Sequence, residues 1–414
     1  MSPARRGGAA VLVTLAMLGV GGPVGCRLPQ RTAPAPPGRA APLPLPRPVR
    51  AVWVARFHYR DADDVRAIIR NCAAMGCNTV LWQVRGAGTV TYPSRLEPWT
   101  EEFGFADPGY DPLALAVAEA HRHGLRIEAW FNVLPGWQGP RPPPLANQLW
   151  NARPGWFLCD AGGQRQPLAI LDAKTGKPAG HYLLLNPCLP EVRQHIAALI
   201  DEIVSRYDVD GVHLDYVRYA WETIPDAEKK YPRDARTLEL YYRETRKRPD
   251  DDPAAWKHWR AAQLTRLVAD VRRVLDRRRP GAALTAAVSS NPRTAYDAYL
   301  QNGVAWLRSG LVDALMPMAY TEKPAEFAAA VEAYRHLVGG RRIVPGVGVY
   351  KHKAAHVMEQ QLEYCRAAGG DFALFSYDSF YPNSQDRSDP NGPRAEAQAE
   401  RQLRRAVLKR FAGS

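Results

Sequence analysis

The stretch Asp210–Tyr219, DGVHLDYVRY, threads two carboxylates, an imidazole and a guanidinium through apolar residues. Val212, Leu214 and Val217 mark it as a buried strand, where a carboxyl is costly unless it is paired or put to use. Alternate side chains of a strand share a face, so His213 and Asp215 belong together. Asp215 then has two uses: an ion pair with Arg218 or Arg85, or acid–base, nucleophilic or electrostatic work at a reacting centre. Polar groups recur at the ends of other apolar segments. Gln83 with Arg85, Asn132, Asn291, Tyr320 with Glu322, Tyr350 and Asp378 all fall there, and Glu128 lies two alternations before Asn132.

Other constellations carry less. His121 and His123 flank the last turn of a helix before Gly124, where histidine complements the helix dipole. His352 and His356 have the i, i+4 spacing of a metal pair but lack a third ligand nearby. Gly346 and Gly348 lack the Lys-Ser/Thr that a phosphate loop requires. The sequence therefore calls for no metal and no cofactor.

These groups must be positioned by something, and the chain alternates short apolar segments with longer helical patterns from residue 50 onward. The strand candidates are AVWVARF (51–57), NTVLWQVR (78–85), RIEAWFN (126–132), GVHLDYV (211–217), ALTAAVSS (283–290), DALMPMAY (313–320), RIVPGVGVY (342–350) and DFALFSYD (371–378). Gly76, Gly124, Gly310 and Gly369 end intervening helices. Eight strand–helix repeats predict an α/β fold, a (β/α)8 TIM barrel over residues 49–384, with a helical tail over 385–414. Active sites of such barrels lie at the C-terminal ends of the strands, where the polar groups above collect. Trp53, Trp82, Trp130 and Trp137 add flat apolar faces beside hydrogen-bonding groups, a combination that suits sugar rings. The charged segment between Glu222 and Asp252 reads as a solvated excursion after the fourth strand.

The formal charge of +13 suggests an anionic partner, but Arg5, Arg6, Arg27, Arg31, Arg39, Arg47 and Arg50 supply seven of the thirteen before residue 51, with no acid among them. No Lys/Arg segment is interleaved with stacking aromatics, so nucleic acid is not an expected partner. Arg5 and Arg6 precede a short apolar segment, Ala9 to Val20, and the small residues ending in Gly25-Cys26. Residues 1–26 thus read as a secretory signal, too short to span a membrane, with Cys26 placed as a lipidation site although Pro23 departs from the usual pattern. Residues 27–48 read as a Pro/Ala/Arg-rich extended tether. The expected location is the cell envelope, with membrane contact only through the lipid anchor. Export makes disulfides chemically accessible, and Cys159 with Cys188 is the better-placed pair. The sequence sets no oligomeric state.

Several segments together resemble the glycosyl-hydrolase-like family ten, a bacterial barrel family of envelope and secreted proteins. They are VRAVWVA (49–55), NTVLWQVRGAGTVTYPSRLEPW (78–99), DPGYDPLALAVAEAHRHGLRIEAWFN (107–132), LLNPCLPEVRQHI (184–196), YDVDGVHLDYVRY (207–219), Trp259-Arg260, GLVDALMPMAY (310–320) and VGVYK (347–351). The resemblance implies glycan hydrolysis, with peptidoglycan-type glycan strands or a related amino-sugar polymer as substrate. A more distant echo is the DG-x-D-x-D-x-E strand of family eighteen chitinases. Here Val217 stands where that motif keeps its acidic Glu, His213 replaces an Asp, and Tyr216 stands where the family-ten pattern often keeps a second acid.

Glycoside hydrolysis usually needs two carboxyls, one of them protonated. Asp215 is the first, as nucleophile, base or electrostatic stabiliser, and Glu322 or Asp378 is its expected partner. Glu128 sits deeper and is expected to pair with an Arg. Alternatively, an N-acetyl carbonyl of the substrate attacks the anomeric carbon, with Asp215 and Tyr320 orienting it. Gln83, Arg85, Asn132, His213, Arg218, Asn291, Tyr320, Tyr350 and Trp130 are the expected substrate contacts, Arg85 being suited to a carboxylate such as a muramic lactyl group. The rival expectation is a barrel that has lost turnover and binds glycans at the cell wall.

Overall fold

The computed structural model describes residues 40–169, 181–220, 224, 226–384, 386 and 395–412. The signal, Cys26 and Glu222 lie outside them. The apolar segments become eight parallel strands: β1 Arg50–Val54, β2 Thr79–Gly86, β3 Arg126–Asn132, β4 Gly211–Asp215, β5 Ala283–Ser289, β6 Ala314–Met318, β7 Gly346–Gly348 and β8 Phe372–Phe375. Each pairs with the next, and β8 pairs with β1 through Val52↔Leu374, so the sheet closes into the expected TIM barrel. A short strand, Thr89–Val90, turns back antiparallel on β2.

The helices start and stop where side-chain chemistry requires it. Asp61 caps α1 (Ala62–Ala74) by accepting from Asp64 N, and Asp111 caps α2 (Pro112–Arg122), which opens on proline. Gly76, Gly124, Gly310 and Gly369 follow helices with φ of 76°, 68°, 75° and 111°, the left-handed turn that returns the chain to the sheet. Further helices include α3 (Pro190–Arg206), α4 (Ala235–Thr245) and α5 (Pro253–Arg278). Later ones include α6 (Pro292–Tyr299), α7 (Pro324–Val338), α8 (Ala355–Ala367) and the C-terminal α9 (Ala395–Ala412). No helix among the described residues is long and apolar enough to cross a membrane.

Strand alternation sorts the core into two shells. Val52, Val80, Trp82, Val84, Ile127, Phe131, Val212 and Leu214 pack outward under the helices. Ala51, Trp53, Leu81, Trp130, Met316 and Ala373 fill the barrel axis, with Leu45 and Phe375 against them. At the N-terminal end the chain entering β1 lies across the barrel floor. Leu43 N donates to Asp210 Oδ1 at 2.7 Å, Arg126 Nε donates to Leu43 O at 3.0 Å, and Arg279 donates to Ala40 O at 2.6 Å. The other end carries the long loops.

The excursion after β4 is only partly solvated: Tyr241 of α4 is buried against Trp256 and Trp259 of α5. The expected Cys159–Cys188 bridge is absent, because the two thiols face different surroundings. Cys159 Sγ lies 3.4 Å from Phe157 O, whereas Cys188 joins the Tyr241–Trp256–Trp259 cluster with Tyr219 OH 3.6 Å from its sulfur. Cys72, Cys77, Cys159, Cys188 and Cys365 are all free and buried.

Candidate active site

Asp215 is the last residue of β4 and only 6% exposed. The chain stops extending there because Tyr216 takes a left-handed conformation, φ 53°, which turns its N–H back onto Asp215 Oδ1 at 2.7 Å. Burial pushes the Asp215 carboxyl above the ordinary carboxylate range, while the Tyr216 N–H, the charge of Arg218 and the Trp130 indole pull against that rise. The Trp130 Nε1–H approaches Asp215 without completing a hydrogen bond. Arg218 lies between the rings of Tyr216 and Tyr299, 4.9 Å from each centroid.

Around Asp215 the mouth is aromatic. Tyr320 stacks on Phe375 with centroids 5.3 Å apart, and Tyr350 meets both rings edge-on at 5.9 and 5.8 Å. Burial and the nearby Asp215 hold the Tyr320 phenol protonated, so it is a hydrogen-bond donor. Gly348 leaves the room Tyr320 occupies: a Cβ there would fall 2.7 Å from Tyr320 Cβ and 2.8 Å from its Cγ. Asn132 stands in register with Asp215 across β3 and β4, buried, and its Oδ1 has no hydrogen-bond partner among the described residues. Tyr350 is 53% exposed and forms the outer rim.

Five expected site residues are used elsewhere. Arg85 is fully buried on the outer side of the sheet, paired with Glu97 at 2.7 Å and donating to the carbonyls of Asn132, Val133 and Pro135. Its displacement has a geometric cause. A bulge lies between Gln83↔Trp130 and Arg85↔Phe131, so Arg85 aligns with outward-facing Phe131 instead of sharing the inner face with Gln83. His213 is enclosed in the barrel axis. Trp53 Nε1 donates to its Nε2 at 3.1 Å, which puts the ring proton on Nδ1, 2.8 Å from Thr285 Oγ1. Thr285 in turn donates to Glu128, which pairs with Arg126. Burial lowers the His213 pKa to about 3, so it is a neutral core residue out of substrate reach.

Asn291 is exposed and caps α6, its Oδ1 accepting from Arg293 N and Thr294 N. Neither proposed acid partner acts on Asp215, whose charged neighbour is Arg218. Glu322 faces Lys353 at 3.8 Å, and Asp378 accepts from Ser376 Oγ with His58 Nε2 at 3.6 Å. Gln83 is inward but committed, its Oε1 accepting from Arg56 N at 3.0 Å.

Sequence reasoning passed over Phe375, Tyr216 and Tyr182. Phe375 was legible, since alternation from Ala373 turns it inward. Tyr216 owes its role to a backbone turn, and Tyr182 belongs to a long loop, where it meets Tyr216 edge-on at 4.9 Å. Neither leaves a periodic signal. Among the described residues no group of three His, Cys, Asp or Glu side chains could hold a metal ion.

Residues 48–363 match the family described as Glycosyl hydrolase-like 10. The chain belongs to this family. Glycosyl hydrolase DigH of Escherichia coli strain K12 is 26% identical over 356 residues, covering 75% of this chain and 74% of that protein. Glycosyl hydrolase YngK of Bacillus subtilis is 26% identical over 304 residues, covering 66% of this chain and 54% of that protein. Among solved structures, the glycoside hydrolase domain of PgaB (BpsB) from Bordetella bronchiseptica superposes with a TM-score of 0.59 at 15% identity, over 86% of this chain and 98% of that one. The last likeness is one of fold. Membership of Glycosyl hydrolase-like 10 makes the chain a glycosidase whose substrate is carbohydrate.

Proposed function

We propose that the chain hydrolyses the glycan strands of peptidoglycan, or a related amino-sugar polymer, with Asp215 as proton donor and the substrate's acetamido group as nucleophile. The observation that carries this reading is the buried Asp215, raised in pKa and ringed by Trp130, Tyr320 and Phe375, without a second carboxyl among the described residues acting on it. Among the described residues, a single carboxyl acting at this point does not make the usual carboxylate pair. An N-acetyl sugar supplies the missing nucleophile. Protonated Asp215 gives its proton to the leaving glycosidic oxygen as the acetamido carbonyl oxygen bonds to the anomeric carbon. Asn132 Oδ1, an acceptor awaiting a donor, takes the acetamido N–H and sharpens the carbonyl as a nucleophile, while the Tyr320 hydroxyl orients the group. Water then opens the cyclic intermediate at the anomeric carbon, returning its proton to the Asp215 carboxylate, with net retention. Trp130, Phe375, Tyr320 and Tyr350 supply the apolar surface for sugar rings.

The test is incubation of the purified protein with peptide-free glycan strands, with products read by mass and the new anomer by NMR. Shortened strands with retained configuration support the reading. Unchanged strands, or equal cleavage by Asp215→Asn, overturn it, and tight binding without products would instead favour a glycan-binding barrel. Export and envelope anchoring through Cys26 belong to the same proposal and rest on the N-terminal sequence. Labelled palmitate should enter the wild-type protein in cells and be lost in Cys26→Ser.

A further inference from the structure

The bulge that turns Arg85 outward leaves a second consequence on the inner face. Once Arg85 aligns with Phe131, the next residue of β2 returns to the barrel mouth, and that residue is Gly86. The space a side chain would take there is filled by Arg56 from the loop after β1. A Cβ on Gly86 would collide with the Arg56 guanidinium. Arg56 is held from three sides: its backbone N–H donates to Gln83 Oε1 at 3.0 Å, its Nε bonds Glu102 at 3.2 Å, and the Tyr182 hydroxyl lies within reach of the guanidinium. Its side chain is 13% exposed, so the group is fixed but not sealed. Tyr182 meets Tyr216, whose N–H bonds Asp215, so one continuous wall joins Arg56 to the acid.

We infer that Arg56 is the specificity-determining cation of the mouth, engaging a carboxylate carried on a sugar ring, of the kind a muramic lactyl ether provides. Glu102 takes the Nε–H and the Tyr182 hydroxyl engages the guanidinium as well, so a planar anion would meet the N–H donors that remain, a geometry a guanidinium recognises well. Arg218, the guanidinium whose charge acts on Asp215, is clasped between two tyrosines. Gly86 and Gln83 act through Arg56 as positioning residues, one by leaving room and the other by holding its backbone.

The inference rests on the glycan-strand reading above, and its test uses binding so that the two can fail separately. With Asp215→Asn protein, calorimetry compares a muramic-containing tetrasaccharide bearing free lactyl carboxylates with the same oligosaccharide as its lactyl amide. The acid should bind at least tenfold more tightly, about 1.4 kcal/mol. The preference should shrink with added salt and fall below twofold when Arg56→Gln is added. Equal affinity for acid and amide, no binding of either, or a preference that survives Arg56→Gln overturns the assignment. Strand cleavage by the wild type without an acid preference removes only Arg56's role. An acid preference without cleavage keeps that role and removes the hydrolase reading.

Discussion

At the scale of single residues, the site turns on opposing influences at Asp215. Burial favours its protonated form, and among the described residues Arg218 is the full charge working against that. A general acid is active while it holds its proton, so kcat/KM should fall as pH rises through the Asp215 pKa. Removing the Arg218 charge takes away an influence that lowers this pKa. Arg218→Met should therefore move the alkaline limb of the pH–rate profile to higher pH, and a limb that stays fixed or moves down contradicts Asp215 as the donor. Asp215→Asn should lose activity by roughly a thousandfold, within the usual contribution of a general acid, while melting as the wild type does. Tyr320 offers a separate handle through Gly348. An added methyl group there meets the Tyr320 side chain at under 3 Å, so the ring must shift. Gly348→Ala should cost about ten- to a hundredfold in kcat/KM, as a displacement of about 1 Å can. Unchanged kinetics would show that the Tyr320 position is not part of the site.

At the scale of elements, the fold was legible wherever the period was undisturbed, and the site was lost where one residue changed it. RIEAWFN became β3 from Arg126 to Asn132 as read, because both flanks carry stop signals and both faces are covered. GVHLDYV shortened to Gly211–Asp215 because Tyr216 turns left-handed, and RIVPGVGVY shortened to Gly346–Gly348 because Pro345 offers no N–H to the ladder. Asp215 stayed legible since its parity follows from His213 and the strand end. Arg85 did not, since a bulge has no signature in the residue pattern and one extra residue reverses every later side chain. The reversal gives Arg85 a structural task. With Glu97 and His195 it ties β2 to α3, Glu97 Oε1 lying 2.7 Å from Arg85 and 3.0 Å from His195. Burial opposes the Glu97 anion, but Arg85 and His195 outweigh it and hold the pKa down to about 2. Glu97→Gln strands the buried guanidinium and should cost about 3–5 kcal/mol in denaturant unfolding. Replacing both partners, Arg85→Met with Glu97→Gln, should recover much of that loss. A double variant as unstable as the single would mean the pair is not what makes the position sensitive.

At the scale of the whole molecule, the barrel encloses imidazoles it cannot charge. Burial lowers His213 to about 3, and lowers His58 and His352 to about 4. Unfolded, each takes a proton near its ordinary value of 6.5; folded, each stays neutral until well below it. Between those limits the unfolded chain binds more protons, so stability is complete above pH ~6.5 and falls as pH drops. His121 works the other way. Its hydrogen bond to Asp210 raises its pKa, giving stability that is present below the ordinary value and lost as pH rises through the folded one. Near pH 5 His121 is protonated in both states and drops out, so the three buried imidazoles give a slope of up to about 4 kcal/mol per pH unit. Glu97 adds to the loss below about pH 4.5, where its unfolded form begins to protonate. Urea unfolding at pH 7.5, 6 and 5 should therefore show a midpoint that drops at each step. The drop should be shallower in His213→Gln, which cannot take up the proton once unfolded. A midpoint flat from pH 7.5 to 5 would mean that these imidazoles are charged, or reach water, in the folded barrel. For an enzyme whose proton donor works only while protonated, this sets a lower pH limit that comes from unfolding and not from chemistry. Activity lost below that limit should return on neutralisation if the chain refolds, whereas activity lost on the alkaline side should track Asp215 alone.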